Sequence, residues 1–363
     1  MKRIYRAEAI GSLLRPSYLW DARRALRSKE ITTAQFKTVE DRAVDDAIAL
    51  QVSAGLDVVT DGEMRRLSFI GPLTDVIAGL EPMPLNRPWH EGGKLIDFRM
   101  GLAVTSKVRR RRSLVTEEFA YARTRTTKPL KVTLPSPLML NMFWSPEHSS
   151  AAYTDPFQLF ADTADIIKEE VRDLAAIGCE YIQIDAPELA VLVDPTAQAA
   201  LYEKNGISSK RLLTEGVDLI NSIAEAPGVT FGLHTCRGNN DGRWLAEGGY
   251  DAILKEIVKR TTRFEIFLLE YDNPRSGSFE PLADIPSEKT VVLGLVSTKT
   301  AELESEEGLM ARIDDAARYF PREQMALSTQ CGFNSSVRGN PIGEPAQERK
   351  LQLVAEVAHR VWS

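Results

Sequence analysis

The sequence is short of cysteine and histidine: its 363 residues include three cysteines and four histidines. So few cysteines argue against a disulfide framework and favour a reducing compartment. Positive charge is not in excess either, because the formal net charge is −6, and no global basic field would attract nucleic acid. A run of about 18 apolar residues and a signal-peptide apolar region are both missing. We therefore expect a cytoplasmic protein that binds neither membranes nor nucleic acid.

What the sequence does contain is an alternation of short β-branched runs with longer amphipathic stretches. Strands that alternate with helices imply parallel strands with helical crossovers, and about eight such units indicate a (β/α)8 TIM barrel. We predict one such domain over residues 1–363, with a doubly wound sheet as the alternative α/β fold. The predicted strands end at residues 10–12, 58–61, 132–134, 181–185, 230–234, 264–270, 291–296 and 325–328. The predicted helices span residues 33–55, 155–177, 212–224, 244–260, 302–319 and 345–362.

Residues 80–130 fit this alternation poorly. They contain Pro82, Pro84, Pro88 and the pair Gly92-Gly93, followed by a charged stretch. Proline and glycine interrupt regular helices and strands, so the barrel repeat is not expected here. We predict an insertion near residues 80–130 that covers or flanks the mouth of the barrel.

Residue types that bind zinc stand at the ends of three predicted strands. They are His234 and Cys236 after one strand, Glu270 at the end of the next, and Cys331 after the last. His234 and Cys236 are two positions apart, so on an extended strand end they point to the same side. A zinc ion with two thiolates, an imidazole and a carboxylate is electron-rich, which suits binding and activating a substrate thiol. The alternative interpretation is that both cysteines are buried hydrophobes and His234 is a core histidine.

Acidic and hydroxyl side chains also follow predicted strands. Asp61, Glu63 and Asp185 are expected to line the same cavity, where carboxylates hold a substrate ammonium group. Ser12 and the neighbouring backbone N–H groups are expected to receive a substrate carboxylate. The alternative for Glu63 is a buried ion pair with Arg65 or Arg66.

With these residues, the sequence resembles the C-terminal catalytic barrel of cobalamin-independent methionine synthase and its shorter single-barrel relatives. The resemblance runs over roughly residues 5 to 355. It implies zinc on a set of four ligands, homocysteine held by three side chains with its sulfur on the metal, and methyl transfer to that thiolate to give methionine. The motifs that carry it are Ile10-Gly-Ser12, Asp61-Gly-Glu63, Ile182-Gln-Ile-Asp185, His234-Thr-Cys236, Glu270 and Cys331-Gly332. The implied zinc ligands are His234, Cys236, Glu270 and Cys331, and the implied substrate-binding residues are Ser12, Glu63 and Asp185.

The sequence departs from the family pattern at places that concern the methyl donor. The full-length enzyme has an extra N-terminal barrel that these residues do not contain. The family's histidine after the seventh strand is replaced by Lys299, and its Asp-Glu-Pro motif reads Asp185-Ala186-Pro187 with Glu188 displaced. Lys299 and Asp185 are the predicted catalytic residues, Lys299 as a general acid or as a site for an anionic donor. Otherwise Lys299 is a surface lysine at a helix N-terminus.

Three functions remain in competition. The first is a zinc-dependent S-methyltransferase that uses a methyl-folate, a methyl-corrinoid on a partner protein, or another small methylated compound. The second is a thiol alkyltransferase for another substrate pair, such as epoxide and coenzyme M, although coenzyme M carries a sulfonate that carboxylates would repel. The third is a non-enzymatic zinc-binding or thiol-sensing protein. The substrates are expected to be small molecules, and homo-oligomerisation is left open.

Overall fold

The computed structural model describes residues 4–91, 94–336 and 339–363. Seven of its strands form one parallel sheet, in which the first strand pairs with the last and the others follow in reverse chain order. All pairs in this sheet are parallel, as the alternation of strands and helices predicts. In chain order the strands are β1 (Ala7–Glu8), β2 (Ile77–Pro82), β3 (Asn86–Glu91), β4 (Lys94–Arg99), β5 (Leu102–Arg110), β6 (Lys131–Pro135), β7 (Tyr181–Asp185), β8 (Thr230–Thr235), β9 (Ile266–Glu270), β10 (Thr290–Val296) and β11 (Met325–Thr329). The sheet consists of β1 and β6 to β11.

The segment around Val59 fills the remaining position between β1 and β6. The backbone N–H of Asp57 donates to the carbonyl of Ala7 at 2.9 Å, and the N–H of Lys131 donates to the carbonyl of Val59 at 2.9 Å. Val59 also forms a parallel bridge with Leu130. These contacts close the curled sheet, so the predicted TIM-type barrel is confirmed and the doubly wound alternative is wrong.

The predicted strand at residues 58–61 is reduced to a single bridge for a local reason. The side chain of Gln51 accepts a hydrogen bond from the N–H of Thr60 at 2.9 Å and donates to its carbonyl at 2.8 Å. Gln51 is fully buried, so it replaces the ladder bonds that a longer strand would make.

Helices cover the outside of the barrel, and the long ones follow the predicted bounds closely. The predicted helices at 33–55, 155–177 and 345–362 appear as Thr33–Ser53, Pro156–Ala176 and Glu344–Trp362. Thr32 begins the first with a capping box, and Asp155 caps the second by accepting from the N–H of Phe157. The remaining α-helices are Ser17–Arg27, Gly71–Thr74, Thr116–Ala122, Pro146–Ser149, Pro187–Ala190, Pro195–Leu201, Ser209–Arg211, Val217–Ile223, Leu254–Arg260 and Glu306–Ala316. A π-helical turn, Leu212–Gly216, joins two of them, and 3₁₀ turns cover Pro137–Phe143, Val191–Val193, Glu203–Asn205, Tyr250–Ala252, Pro274–Ser276, Glu280–Asp284 and Arg322–Gln324.

The prediction of a continuous helix over 244–260 is wrong in its first half. Only Leu254–Arg260 is α-helical, after the 3₁₀ turn Tyr250–Ala252. Gly248 has φ 142°, which no helix contains, and a Cβ there would lie 2.9 Å from the side chain of Val193. The chain therefore turns at Gly248 instead of continuing the helix.

The insertion predicted near residues 80–130 consists mainly of two antiparallel strand pairs. Strand β2 pairs with β5, and β3 pairs with β4. The pair Gly92-Gly93 lies outside the described residues. Trp89, Met100 and Leu102 line the cavity at the barrel mouth, so this segment flanks the mouth as expected. Among the described residues, none of the helices combines the length and the apolar character of a membrane-spanning segment. One domain over the whole chain stays a prediction.

The buried apolar side chains of the barrel form two separate clusters. The larger core lies between the sheet and the helices, and a small cluster of Ile10, Leu268, Val292 and Ala326 forms separately from it. At the amino-terminal end of the strands, Lys131 pairs with Glu8 and donates to the carbonyl of Ala9 at 2.7 Å. Both side chains are buried, and the cavity lined by His234, Cys236 and Cys331 lies at the opposite, carboxyl-terminal ends of the strands.

Candidate metal and thiol site

Three of the four predicted metal ligands converge at the carboxyl-terminal end of the barrel. His234 lies on β8, Cys236 directly follows that strand, and Cys331 follows β11. Their ligand atoms all lie within 4.8 Å of one another, and the two sulfurs are 3.7 Å apart. All three side chains are buried. Two thiols and an imidazole at this spacing form a donor set that zinc prefers.

The orientation of His234 fits a metal ligand. Its Nδ1 donates to the carbonyl of Leu268 at 3.1 Å, so in the neutral ring the lone pair is on Nε2. The buried Nε2 has no hydrogen-bond partner among the described residues. A ring that is oriented by a backbone carbonyl and leaves one nitrogen free is the usual arrangement of a metal-bound histidine. The alternative of a satisfied core histidine is therefore not supported.

The pKa values of the two cysteine thiols are shifted in opposite directions. Contact with the Cys236 sulfur, opposed by burial and assisted by His234, holds the pKa of Cys331 well below its usual range. Contact with Cys331, together with burial, raises the pKa of Cys236 well above its usual range. One thiol of the pair is therefore poised to ionise, which metal ligation requires.

Glu270, predicted as the fourth ligand, is held by other partners. Its Oε1 accepts from Arg275 at 2.9 Å and lies 3.7 Å from the Nζ of Lys299. Its Oε2 accepts from the backbone N–H of Arg237 at 2.7 Å. Burial opposes ionisation, but Lys299, Arg237 and Arg275 lower the pKa of Glu270 to about 2. The low pKa favours the ionised carboxylate, but the group of three that could hold a metal does not include Glu270.

Lys299 is buried beside Glu270 and is not a surface lysine. Its side chain is 7% exposed, and its Nζ has no hydrogen-bond partner among the described residues. Its positive charge contributes to the lowered pKa of Cys331. Lys299 does not appear among the described residues that line the cavity. Its position next to the metal-ligand cluster gives it an electrostatic influence there.

Glu63 reaches the cavity from a strained turn. It has φ 55°, and the side chain of Asp61 accepts from its backbone N–H at 2.9 Å. One carboxylate oxygen accepts from the hydroxyl of Thr133 at 2.9 Å and lies 3.8 Å from Arg66. The other oxygen, Oε2, is buried with no hydrogen-bond partner among the described residues. Glu63 thus has both the ion pair with Arg66 and a free acceptor.

Ser12 and Asp185 line the same cavity as Glu63. Gln183 donates to Asp185 at 2.7 Å, and burial, with Glu63 adding to it, raises the pKa of Asp185 to about 7. The hydroxyl of Ser12 accepts from the backbone N–H of Asn334 at 3.2 Å. A Cβ on Gly332 would lie 2.2 Å from this hydroxyl, so glycine is required there.

The cavity has a volume of about 300 Å³ and two chemically different ends. The polar end combines the metal-ligand cluster with the acidic residues and Ser12. The other end is mostly apolar and aromatic, with Arg99 as a charged side chain beside Met100, and its apolar surfaces suit a flat or methylated ligand. The lining residues at the polar end include Ser12, Glu63, Asp185, His234, Cys236 and Cys331, and those at the apolar end include Trp89, Met100, Leu102, Met139, Met142 and Phe143.

The prediction that Asp61 lines the cavity is wrong, and the sequence did not indicate Asn239 or Arg275 as residues of the site. Asp61 does not line this cavity but borders a separate small void with Arg66 and Glu118, because its side chain is turned to cap Glu63. Asn239 lines the cavity with an amide oxygen that has no partner in the described part of the chain. Arg275 was missed because it comes from a turn after β9 whose sequence carries no recognisable signal.

Comparisons with known proteins find relatives along most of the chain. The family described as cobalamin-independent synthase, catalytic domain, matches residues 7–340. The protein YxjG of Bacillus subtilis, whose function is not described, is 33% identical over 99% of this chain and 95% of its own length. The methionine synthase of Saccharolobus solfataricus is 24% identical over 89% of this chain and 86% of its own. The structure of a B12-independent methionine synthase from Shewanella has a TM-score of 0.77 at 20% identity and covers 99% of this chain and 98% of that one.

The chain belongs to the cobalamin-independent methionine synthase family, as the match over most of its length shows. Members of this family are methyltransferases, so the protein is an enzyme of that class. The match confirms the resemblance inferred from the motifs. The third competing function, a non-enzymatic zinc-binding or thiol-sensing protein, is thereby disfavoured.

Proposed function

We propose that the protein is a zinc-dependent S-methyltransferase that methylates homocysteine to methionine. The observation that carries the proposal is the convergence of His234, Cys236 and Cys331 in the same cavity as Glu63 and Asp185. The histidine and the two cysteines suit a metal ion that binds a substrate thiol. The two carboxylates suit the ammonium group of an amino-acid substrate. The relatives named methionine synthase support the same reaction.

His234, Cys236 and Cys331 would hold the metal, with Glu270 as the proposed fourth ligand. Zinc bound there would lower the pKa of the substrate thiol, so that the thiolate is available as a nucleophile at neutral pH. The Leu268 carbonyl orients the imidazole, and burial of the cluster keeps bulk water from the sulfurs.

The acidic residues would bind the amino-acid end of the thiol. The free Oε2 of Glu63 and the carboxyl of Asp185 accept hydrogen bonds from the substrate ammonium group. Ser12 and its neighbouring backbone would receive the substrate carboxylate. Asp185 is also the proposed proton-holding group, since its pKa of about 7 allows it to carry or release a proton near neutral pH.

The apolar end of the cavity would receive the methyl donor. Trp89, Met142 and Phe143 offer surfaces for a flat ring or a methylated group, and the donor classes are a methyl-folate, a methyl-corrinoid on a partner protein, or another small methylated compound. Lys299 is proposed as a catalytic residue that acts through its charge beside the ligand cluster. We place the enzyme in the cytoplasm.

The test begins with the metal content of the purified protein, followed by titration with homocysteine while zinc–sulfur coordination is monitored by X-ray absorption. We expect one zinc per chain and an additional sulfur ligand on adding homocysteine. Cys236→Ser and Cys331→Ser should lose the metal, whereas Cys179→Ser, which alters a buried thiol outside the cluster, should keep it.

Two results would contradict the proposal in different ways. A protein that takes up no zinc would exclude the metal site. Zinc whose coordination responds to coenzyme M but not to homocysteine would move the assignment to the thiol alkyltransferase alternative. That result would also require the carboxylates of Glu63 and Asp185 to tolerate a sulfonate, which like-charge repulsion opposes.

A further inference from the structure

Arg15, three residues after Ser12, is a buried arginine whose guanidinium donates to three backbone carbonyls. The residue is 5% exposed. Its Nε donates to the carbonyl of Arg66 at 2.8 Å, its Nη2 to that of Glu63 at 3.2 Å, and its Nη1 to that of Asn334 at 2.7 Å. A guanidinium is planar and its N–H groups have fixed directions, so it holds its acceptors in one arrangement. The three carbonyls are therefore tied to the loop after β1.

The polar end of the cavity is built from the three segments that meet at Arg15. The loop after β1 carries Ser12, a turn carries Glu63, and the segment after β11 begins with the candidate ligand Cys331. The first and last of these segments are also in direct contact, because the N–H of Phe333 donates to the carbonyl of Ser12 at 2.7 Å. Arg15 thus connects the carboxylate proposed to bind the substrate ammonium group with the segment that carries a metal ligand.

The backbone of Glu63 is strained, and Arg15 is one of the contacts that hold it. A non-glycine residue with φ 55° keeps that conformation only where its surroundings determine it. The side chain of Asp61 accepts from the N–H of Glu63 at 2.9 Å, and the N–H of Arg66 joins Arg15 in donating to its carbonyl, at 3.1 Å. A Cβ on Gly11 would lie 2.7 Å from the carboxylate, so the side chain also packs closely against the loop after β1. The position of the Glu63 carboxylate depends on these contacts together.

The spacing between the two ends of the site bears on which thiol can bind. Homocysteine and cysteine differ by one methylene group between the sulfur and the amino-acid end. In the proposed function the sulfur binds the metal and the ammonium group binds Glu63. A ligand held at both ends is selected by its length only where the spacing is rigid, because a flexible site adapts to a shorter ligand. In a rigid pocket, one methylene group changes binding by about tenfold or more.

We propose that Arg15 fixes the spacing between Glu63 and the segment that begins with Cys331, and so selects the chain length of the amino-acid thiol. This inference rests on the proposed function. Arg15 is not among the described residues that line the cavity, so it acts through Glu63 and is a positioning residue. Its replacement should weaken homocysteine binding and reduce the preference for homocysteine over cysteine.

The experiment measures the affinities of zinc-loaded wild type, Arg15→Lys and Arg15→Gln for homocysteine and for cysteine by isothermal titration. Lysine keeps the positive charge and glutamine keeps an NH₂ group, but neither has the fork that reaches three carbonyls. We expect both variants to bind homocysteine about tenfold more weakly, the size of one lost hydrogen bond. Cysteine affinity should change less than about threefold, because the shorter thiol does not use the fixed spacing. The zinc content should equal that of the wild type.

Two controls separate positioning from a general effect on the fold. In the Glu63→Gln background, Arg15→Lys should change homocysteine affinity less than about threefold, because the charge pairing through which Arg15 acts is already lost. Arg6→Lys is the matched variant, since Arg6 also donates to backbone carbonyls, those of Glu323 and Met325, but at the amino-terminal end of the sheet. It should leave both affinities unchanged. Circular dichroism verifies that each variant is folded.

Three results would overturn the inference alone. Full homocysteine affinity in Arg15→Lys would mean that the charge of Arg15 is sufficient and its fork is not needed. Equal losses for homocysteine and cysteine would mean that Arg15 supports the site without selecting chain length. Loss of zinc would mean that Arg15 holds the metal-ligand segment itself. A wild-type protein whose zinc gains no sulfur from homocysteine would overturn both the proposed function and this inference.

Discussion

At the scale of single residues, the site shows which functional side chains a sequence can reveal. Some of the residues at the ends of strands were predicted correctly as neighbours, because parallel strands bring their carboxyl ends together. His234, Cys236 and Cys331 are examples, since their ligand atoms meet within 4.8 Å. Arg275 and Asn239 were not found, because their roles depend on how connecting turns fold over the barrel and not on strand position.

Replacing Asp185 by asparagine should separate substrate binding from metal binding. The amide keeps the size of the side chain and an oxygen that can accept from Gln183, so the local structure should persist. It cannot carry the charge that pairs with an ammonium group, so homocysteine affinity should fall about tenfold or more. Isothermal titration of the zinc-loaded protein measures this loss, and metal analysis of the same sample should give the wild-type zinc content. Loss of zinc in Asp185→Asn would instead make Asp185 a support of the metal site.

The buried acid Glu188 predicts a pH dependence of stability. Burial, opposed by a hydrogen bond from Ser136, raises the pKa of Glu188 from 4.5 to about 8. The folded state therefore keeps a proton that the unfolded state releases between these two pH values. Stability that this proton provides is fully present below pH 4.5 and is lost as pH rises towards 8.

The variant Glu188→Gln should accordingly gain stability relative to the wild type as pH rises from 4.5 to 8, with no further gain above pH 8. The slope should be no more than about 1.4 kcal/mol per pH unit. Urea unfolding at pH 5, 6.5, 8 and 9 measures the difference in free energy of unfolding. A difference between the two proteins that stays constant over this range would show that Glu188 ionises normally in the folded state.

At the scale of elements, the well-predicted parts are those whose sequence signal is local. The helix Pro156–Ala176 has a cap residue, Asp155, and a proline in its first turn, so its start was predicted correctly. The helix predicted over 244–260 is wrong in its first half, because amphipathic spacing continues through Gly248. The backbone conformation of Gly248 excludes a helix there. The antiparallel pairs of the insertion could not be deduced, since β3 contains Pro88 and lacks a clear alternation.

Gln51 should be essential to the short segment that closes the barrel. Its amide satisfies the backbone N–H and carbonyl of Thr60, which have lost the ladder partners of a full strand. In Gln51→Leu these two buried groups would be unsatisfied, at a cost of about 2–5 kcal/mol. Urea unfolding followed by circular dichroism measures the loss, and Gln158→Leu, at an exposed position on another helix, is the matched control. Equal unfolding midpoints for both variants would show that water replaces the lost bonds.

At the scale of the whole molecule, the two ends of the barrel have separate tasks. The carboxyl-terminal ends of the strands carry the cavity and the candidate site, whereas the opposite end holds the buried pair of Lys131 and Glu8 beside a second pocket. Tyr181 lies against this pair, with its hydroxyl 3.4 Å from Glu8. In barrel enzymes, residues at the carboxyl-terminal face usually serve activity and residues at the opposite face usually serve stability. The rule assigns the metal-ligand cluster to activity and the pair of Lys131 and Glu8 to stability.

This separation predicts that the ion pair affects stability and not the site. Lys131→Met would leave Glu8 buried without its cation, at a cost of about 3–5 kcal/mol. The double variant Lys131→Met with Glu8→Gln removes both charges and should recover most of that loss, because the penalty comes from the unpaired carboxylate. Urea unfolding of the wild type, both single variants and the double variant gives the coupling energy. Zinc affinity per folded molecule should be unchanged in all of them, since the metal-ligand cluster lies at the other end of the barrel. A variant that remains folded but loses zinc affinity would show that the two ends are coupled through the strands that join them.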